Sequence, residues 1–435
     1  MRKKCASRYH AILNAVSDWS MHKCLLVVGW GIIFLVWLLV WGQPSSIAAE
    51  VTLAQAVEIA LEKNPDLAAA ANELLIARGE IQRASYISQF NPQVLSGFDY
   101  RTRAGKSNSQ DWRTGLSQEL EIFGQRGLRQ RSAKLGYDRT KAEVGNQIRL
   151  LTAAVKMTFY EALRARNRSK LLTELEALDH KLADAAQTRF DAGEIGQIDF
   201  NLARVRYGES RNALINGMEI YRLECSSLGR LLGNAVGTEP EPAGELIAKP
   251  LQIDMEKLLD EARAKRPDLM AAKSEVARLQ TEAALNARLV LPNPTIGTFL
   301  GHEQNTERFA GVTLDFPLPL FNRRQGEATI IAGRLAIARN KLRAVEMNLE
   351  HEVRDAHGKY TAALRALTAS QENIVAPARE SFNLLEAAFS AGKLDLLSLS
   401  VAERQSFDAQ MGYLDAWFNY AAAKTSLDLA VGESL

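Results

Sequence analysis

Few residues in this chain combine the type and the spacing that chemistry needs. Gly105-Lys106-Ser107 has the ending of a phosphate-binding loop, in which backbone amides and a lysine hold phosphate. The glycine that should precede it is Tyr100, and the segment joins two strand-like runs instead of leading from a strand into a helix. It reads as a hairpin loop. His351 and His357 stand six positions apart, about 240° around a helix, so they share no face and form no ligand pair. His302-Glu303 falls at the second hairpin loop and reads as solvated. Gly-x-Ser-x-Gly, His-Glu-x-x-His and Cys-x-x-Cys are all absent. Cys225 has no cysteine beyond the N-terminal segment to form a disulfide or a zinc site. It lies on a helical seam, where it is expected to pack as a small apolar residue. The expectation is a chain without catalytic residues, cofactor or metal, and not an enzyme.

The chain has 435 residues, 24% charged and 47% hydrophobic, a balance that fits a folded protein and excludes a disordered or polytopic one. The formal charge is +2, but Arg2, Lys3, Lys4, Arg8 and Lys23 against Asp18 alone precede residue 49, so the remainder carries −2. Such a body offers no nucleic-acid footprint. Leu25 to Trp41 is free of charge and is followed by Pro44 and the small residues Ser45, Ser46, Ala48 and Ala49. Basic flank, apolar run and small residues together predict a cleavable export signal over 1–48, with cleavage after Ala48 or Ala49. Cys24 precedes the apolar run, which argues against a lipid anchor.

The rest of the chain aligns with itself at an offset of about 200 residues. Asn64-Pro65-Asp66-Leu67 matches Arg266-Pro267-Asp268-Leu269, and Asn91-Pro92 matches Asn293-Pro294. Ile122-Phe123-Gly124-Gln125-Arg126 matches Leu320-Phe321-Asn322-Arg323-Arg324, and Phe190-Asp191-Ala192-Gly193 matches Phe389-Ser390-Ala391-Gly392. The order is kept throughout. This predicts a first repeat over 49–245 and a second over 246–435, joined by a linker from Gly233 to Pro250 that contains Pro240 and Pro242.

Each repeat reads as helix, helix, β-hairpin, long helix, turn, long helix. Thr52 with Gln55 is a capping box, and Pro65 and Pro267 suit a first helical turn. Leu269, Ala272, Val276, Leu279 and Ala283 form a coiled-coil seam. Hairpins are expected at about 93–121 and 295–316. In them Val94, Ser96, Phe98 and Tyr100 alternate with Leu95, Gly97 and Asp99, and Ala310, Val312, Leu314 and Phe316 alternate with Gly311, Thr313 and Asp315. A helix from about Arg126 to Asp191 follows, on the order of 100 Å long at 1.5 Å per residue. Its seam is Leu171, Leu175, Leu178, Leu182 and Ala185, and the return seam is Leu214, Met218, Tyr221, Cys225, Leu228 and Leu232. The second return seam is Phe407, Met411, Leu414, Phe418 and Ala421, fading at the polar Thr425. Pro377 predicts a kink. The helical tips fall at about 191–199 and 390–398.

Four strands cannot close a barrel with an open lumen, and an unclosed sheet cannot sit in lipid. An exported chain of this kind is expected to share a barrel among subunits. Taken together, the duplicated Asn-Pro pairs, the stretch Pro317-Leu318-Pro319-Leu320-Phe321-Asn322-Arg323 and the paired tips resemble the TolC-like outer-membrane efflux proteins over residues 50–435. The proline stretch is most similar to the cobalt–zinc–cadmium resistance branch.

That resemblance implies a mainly α fold with a small β part. It implies a homotrimer whose twelve shared strands cross the outer-membrane lipid and whose twelve helices form a periplasmic tunnel. The tips would meet a periplasmic adaptor (a membrane fusion protein) joined to an inner-membrane pump of the RND type. Adaptor docking then falls to Gly193 and Asp199 at one tip, and to Gly392 and Ser398 at the other, with Ser398 departing from the usual acidic residue. The family's constricting aspartate ring is absent as such, because its positions hold Ser398 and Val401; Asp395 is the nearby substitute. The implied function is a passive exit duct for divalent heavy-metal cations. The alternatives are a duct for organic compounds or secreted polypeptides, and a periplasmic adaptor or scaffold anchored by residues 25–41. Adaptors carry a lipoyl-type β segment around one helical hairpin, whereas this chain has two in tandem.

Overall fold

Thr52 and Gln55 hold the first helix as their spacing predicts: the Thr52 hydroxyl accepts from the Gln55 amide, and the Gln55 side chain accepts from the Thr52 amide. The computed structural model describes residues 50–435 apart from 103, 106–107, 237–238, 245–253, 304–306, 391–395 and 433–435. The expected export signal lies outside the described residues. A short strand β1 (Glu50–Thr52) is followed by α1 (Leu53–Lys63) and α2 (Pro65–Ser85). The first hairpin is β2 (Gln93–Arg101) with β3 (Ser109–Glu119). Then come α3 (Gln125–Asp191) and α4 (Gln197–Leu231). After β4 (Glu241–Ala243) the order recurs: α5 (Met255–Lys265), α6 (Pro267–Arg288), β5 (Thr295–Glu303) and β6 (Glu307–Asp315). The chain ends with α7 (Gln325–Ser370), a π-helical turn at Gln371–Val375, α8 (Ala376–Ser390) and α9 (Leu396–Val431).

β1 and β4 pair in parallel, a small bridge that proline content alone did not reveal in the linker. The other four strands form one antiparallel sheet in the order β2-β3-β5-β6, which joins the two hairpins edge to edge. No described helix is long and apolar enough to cross a membrane.

α3 runs for 67 residues without a break. Its counterpart is interrupted by the π turn just before Pro377, whose ring nitrogen has no proton for the carbonyl four residues earlier; the widened turn absorbs it. The two repeats use the same device where sheet meets helix. Phe123 N donates to the Gln125 side chain at 2.9 Å, and Arg323 N to Gln325 at 2.8 Å. The helices start after Gly124 at φ 79° and Arg324 at φ 57°. This pairs Gln125 with Gln325, two positions away from the sequence match of Gly124 with Asn322. The tie to the sheet is direct: buried Gln125 donates to Asn293, and Asn293 to Glu119, both at 2.8 Å.

The core is a belt where both repeats meet, built on Val155, Phe159, Leu228, Leu258, Leu349, Val353, Leu427 and Val431. Asn64 and its repeat partner Arg266 cap the return helices there: Asn64 Nδ2 donates to Leu231 O and Arg266 to Ala430 O. Buried Arg266 is also paired with Asp268 and Glu352. Four seam expectations are corrected. Ala185, Met218 and Ala283 are exposed, and on α3 the buried stripe is shifted one residue to Leu172, Asp179 and Ala186, with Leu172 against Gly217. A β-carbon at Gly217 would stand 2.5 Å from Leu172 Cδ1, so a larger residue there requires the Leu172 side chain to move aside. The α9 seam does not fade, because Thr425 is buried with its hydroxyl donating to Ala421 O at 2.9 Å. Cys225 packs on the seam as expected, and burial pushes its thiol up to about 11.

Candidate functional site

The first tip is built by the end of α3. Gly193 N donates to Phe190 O at 2.9 Å and Glu194 N to Arg189 O at 2.8 Å, the paired bonds of a left-handed helix stop. Gly193 supplies the positive φ of 75° that this stop requires. Phe190 and Phe200 stack across the turn with ring centroids 5.0 Å apart, and Ala186, Ala203 and Ile195 complete a small separate cluster. Arg204 lies over the Phe200 ring. Asp199 is exposed in the first turn of α4, where a negative charge suits the helix dipole. Ile198 beside it is 82% exposed, an apolar side chain facing outwards at the extremity. Gly392 and Asp395 lie outside the described residues. Ser398 is exposed in the first turn of α9, with Leu399 and Ala402 buried behind it.

A buried charged cluster ties the two helical hairpins together behind these tips, and nothing in the periodicity announced it. Arg206 on α4 donates to Glu403 on α9 at 2.8 Å and stands 3.6 Å from Asp179 on α3. Both carboxylates are almost wholly buried, and Glu403 Oε1 has no hydrogen-bond partner among the described residues. Burial, and then the neighbouring Asp179 charge, push the Glu403 carboxyl up to about 7 against the pull of Arg206. Burial likewise raises Asp179, with Glu209 adding and Arg206, Ser210 and Arg404 opposing.

The sign of the pH effect follows. With a folded pKa above the unfolded value near 4.5, the folded chain holds more protons than the unfolded one between about pH 4.5 and 7. Stability from this group is full below that window and declines as pH rises through it. Thermal unfolding of the helices is expected to fall in midpoint between pH 5 and pH 8, and Glu403→Gln to flatten the slope. Equal slopes in both proteins would refute the assignment.

The sheet has two unlike faces. The register aligns Val94 with Leu116, Phe98 with Trp112, Thr114 with Leu300, Ile296 with Leu314 and Thr298 with Val312. These residues, with Tyr100 and Ala310, make one apolar face; Val94, Phe98 and Val312 are 73%, 83% and 79% exposed. Ser96 and Thr114 share a hydrogen bond of 3.0 Å within it, and polar Gln110, Gln118, His302 and Arg308 stand at its strand ends. The other face carries Asp99, Arg101, Asp111, Arg113, Ser117, Glu303, Thr313 and Asp315, with Leu95, Phe299 and Phe309 among glycines. Arg101 bridges Asp111 and Glu303 there, both at 2.9 Å. Period two was legible in the sequence; which residues of different strands share a face required the register. Among the described residues no group of three metal-ligating side chains is assembled.

Comparison with known proteins gives a consistent result. Residues 56–234 and 258–433 match the outer membrane efflux protein family. The chain is 26% identical over 392 residues to the cobalt-zinc-cadmium resistance protein CzcC of Cupriavidus metallidurans, covering 89% of this chain and 92% of that one. It is 23% identical to the outer membrane protein TolC of Salmonella enteritidis, covering 89% and 83%. In fold it superimposes on the CmeC outer membrane channel of Campylobacter jejuni with a TM-score of 0.75 at 14% identity, covering 95% and 94%.

Proposed function

Because the chain belongs to the outer membrane efflux protein family, an efflux channel family and not an enzyme family, we propose that three copies form the exit duct of a tripartite efflux system for divalent metal cations. The observation that carries this reading is the two-faced sheet. β2 and β6 are its unpaired edges and run in opposite directions. The β6 edge of one copy can therefore pair antiparallel with the β2 edge of the next. Three copies give twelve strands, the even number that bacterial barrels use, with no edge left in lipid. The apolar face then meets lipid and the charged face lines the lumen. The long helices continue into the periplasm, where the Gly193–Asp199 and Gly392–Ser398 tips dock an adaptor joined to an RND-type pump. The family resemblance offers Asp395 as the residue of a periplasmic constriction. The divalent cargo rests on the likeness to a cobalt-zinc-cadmium resistance protein over nearly the whole length of both chains. The N-terminal 48 residues act as the cleaved export signal.

Single cysteines in a Cys225→Ala background test the barrel. A membrane-impermeant maleimide is expected to label Thr313→Cys and Asp315→Cys and to spare Ala310→Cys, Val312→Cys and Leu314→Cys. Uniform labelling would replace the barrel with a soluble hairpin. For the cargo, deleting this chain while keeping pump and adaptor is expected to abolish survival in toxic zinc, cobalt or cadmium. Unchanged metal survival with new sensitivity to organic compounds would instead establish the organic duct.

A further inference from the structure

On the charged face of the sheet the bulky side chains are not scattered. Phe299 on β5 stands between Gly115 on β3 and Gly311 on β6 in the cross-strand register. In the adjacent row Arg113 and Phe309 flank Gly301, and Gly97 lies on the far side of Arg113. Large and absent side chains thus alternate across both rows. The rings use the space. A β-carbon at Gly311 would stand 2.5 Å from Phe299 Cζ, and one at Gly301 would overlap the Phe309 ring. Each phenylalanine ring therefore lies over the α-carbon of the glycine opposite, the two ring planes tilted 56° to one another. The ring centroids are 6.0 Å apart, and the Arg113 guanidinium sits 5.7 Å and 5.5 Å from them, within range for a cation–π contact. Aromatic cover of a strand glycine is a known way to recover packing that glycine loses.

We propose that Arg113, Phe299 and Phe309 form a collar on the inner wall of the barrel, and that the glycines opposite hold its rings against the wall so that the bore stays wide. This rests on the shared-barrel reading above. Three copies place nine such groups at two adjacent levels of the lumen, a ring of aromatic surface and fixed positive charge that every permeating solute passes. The collar is then a determinant of what size of solute the duct admits. The glycines are part of it although they touch no solute.

The test is single-channel conductance of the purified trimer in planar bilayers. Gly311→Ala is the cleanest variant, because the three atoms nearest its new methyl all belong to the Phe299 ring. The ring must leave the wall, and conductance is expected to fall. Adding Phe299→Ala removes the displaced ring and is expected to restore conductance to the wild-type level or above it. A wild-type trimer that conducts while Gly311→Ala matches it overturns the collar alone. A wild-type trimer without conductance overturns the barrel reading and the collar with it. Should Gly311→Ala fail to assemble, Phe309→Cys in the Cys225→Ala background carries the test. A bulky thiol reagent is expected to reduce its conductance, and an unchanged current would overturn the proposal.

Discussion

Gly193→Trp is expected to abolish export while trimer abundance and outer-membrane location stay at wild-type levels. The glycine holds φ at 75°, a conformation that costs other residues about 1 kcal/mol. Among the described residues no heavy atom lies within 4 Å of a β-carbon built there, so the first atom of the new side chain meets nothing. Below it the Phe190–Phe200 stack and the Ala186–Ala203 packing hold the two helices together independently of the glycine. The indole would instead project from the extremity that docking requires. Asp199→Ala is expected to weaken export less, since an exposed charge contributes under about 1 kcal/mol. Gly392→Trp should behave as Gly193→Trp does. The measurement is survival in zinc, cobalt or cadmium beside the amount of trimer. Full survival would reduce Gly193 to a helix stop, and loss of trimer would show that the strain argument is wrong.

The second large effect belongs to Arg206→Ala. The substitution leaves Asp179 and Glu403 buried together without their shared cation. Breaking a buried ion pair from one side costs about 3–5 kcal/mol, because the carboxylates left behind must either stay charged away from water or take up protons. The loss should be local, since the belt around Leu228, Val353 and Leu427 does not include these residues. Hydrogen exchange in α9 around Leu399–Ser406 is expected to accelerate by about two to three orders of magnitude, while Leu349–Ala356 on α7 stays protected. Replacing all three charges, as Asp179→Asn, Arg206→Met and Glu403→Gln, should cost much less than Arg206→Ala alone. Equal exchange in wild type and Arg206→Ala would show that the cluster does not hold the hairpins.

These predictions stand on features of different legibility. The tip at Gly193 was readable from sequence, because a glycine after a long apolar period signals a helix stop and its match to Gly392 signals repetition. The capping box at Thr52, the prolines opening α2 and α6 and the alternation along β2 and β6 were legible for the same reason: each depends on neighbours a few positions away. The seams were legible to within one residue. Met218 turned out exposed because its neighbour Gly217 makes the contact with Leu172, and a glycine carries no weight in a hydrophobic pattern.

Thr425 was misread for a related reason. A hydroxyl that bonds its own helix four residues back can be buried, and polarity alone does not show which hydroxyls do so. The charged cluster was not legible at all. Asp179, Arg206 and Glu403 are far apart in sequence and look like ordinary surface charges until α3, α4 and α9 are brought together.

By itself, then, the sequence determined what short-range periodicity and repetition can express: a duplicated chain of long helices and two hairpins, with glycines where the helices turn. Tertiary structure alone decided the cross-strand register that separates a lipid-like face from a charged one. It also decided which glycines lie under which rings, and which charges share a buried space. Periodicity constrains one element at a time, whereas pairing across strands and burial of charge depend on distances between elements that no single period contains.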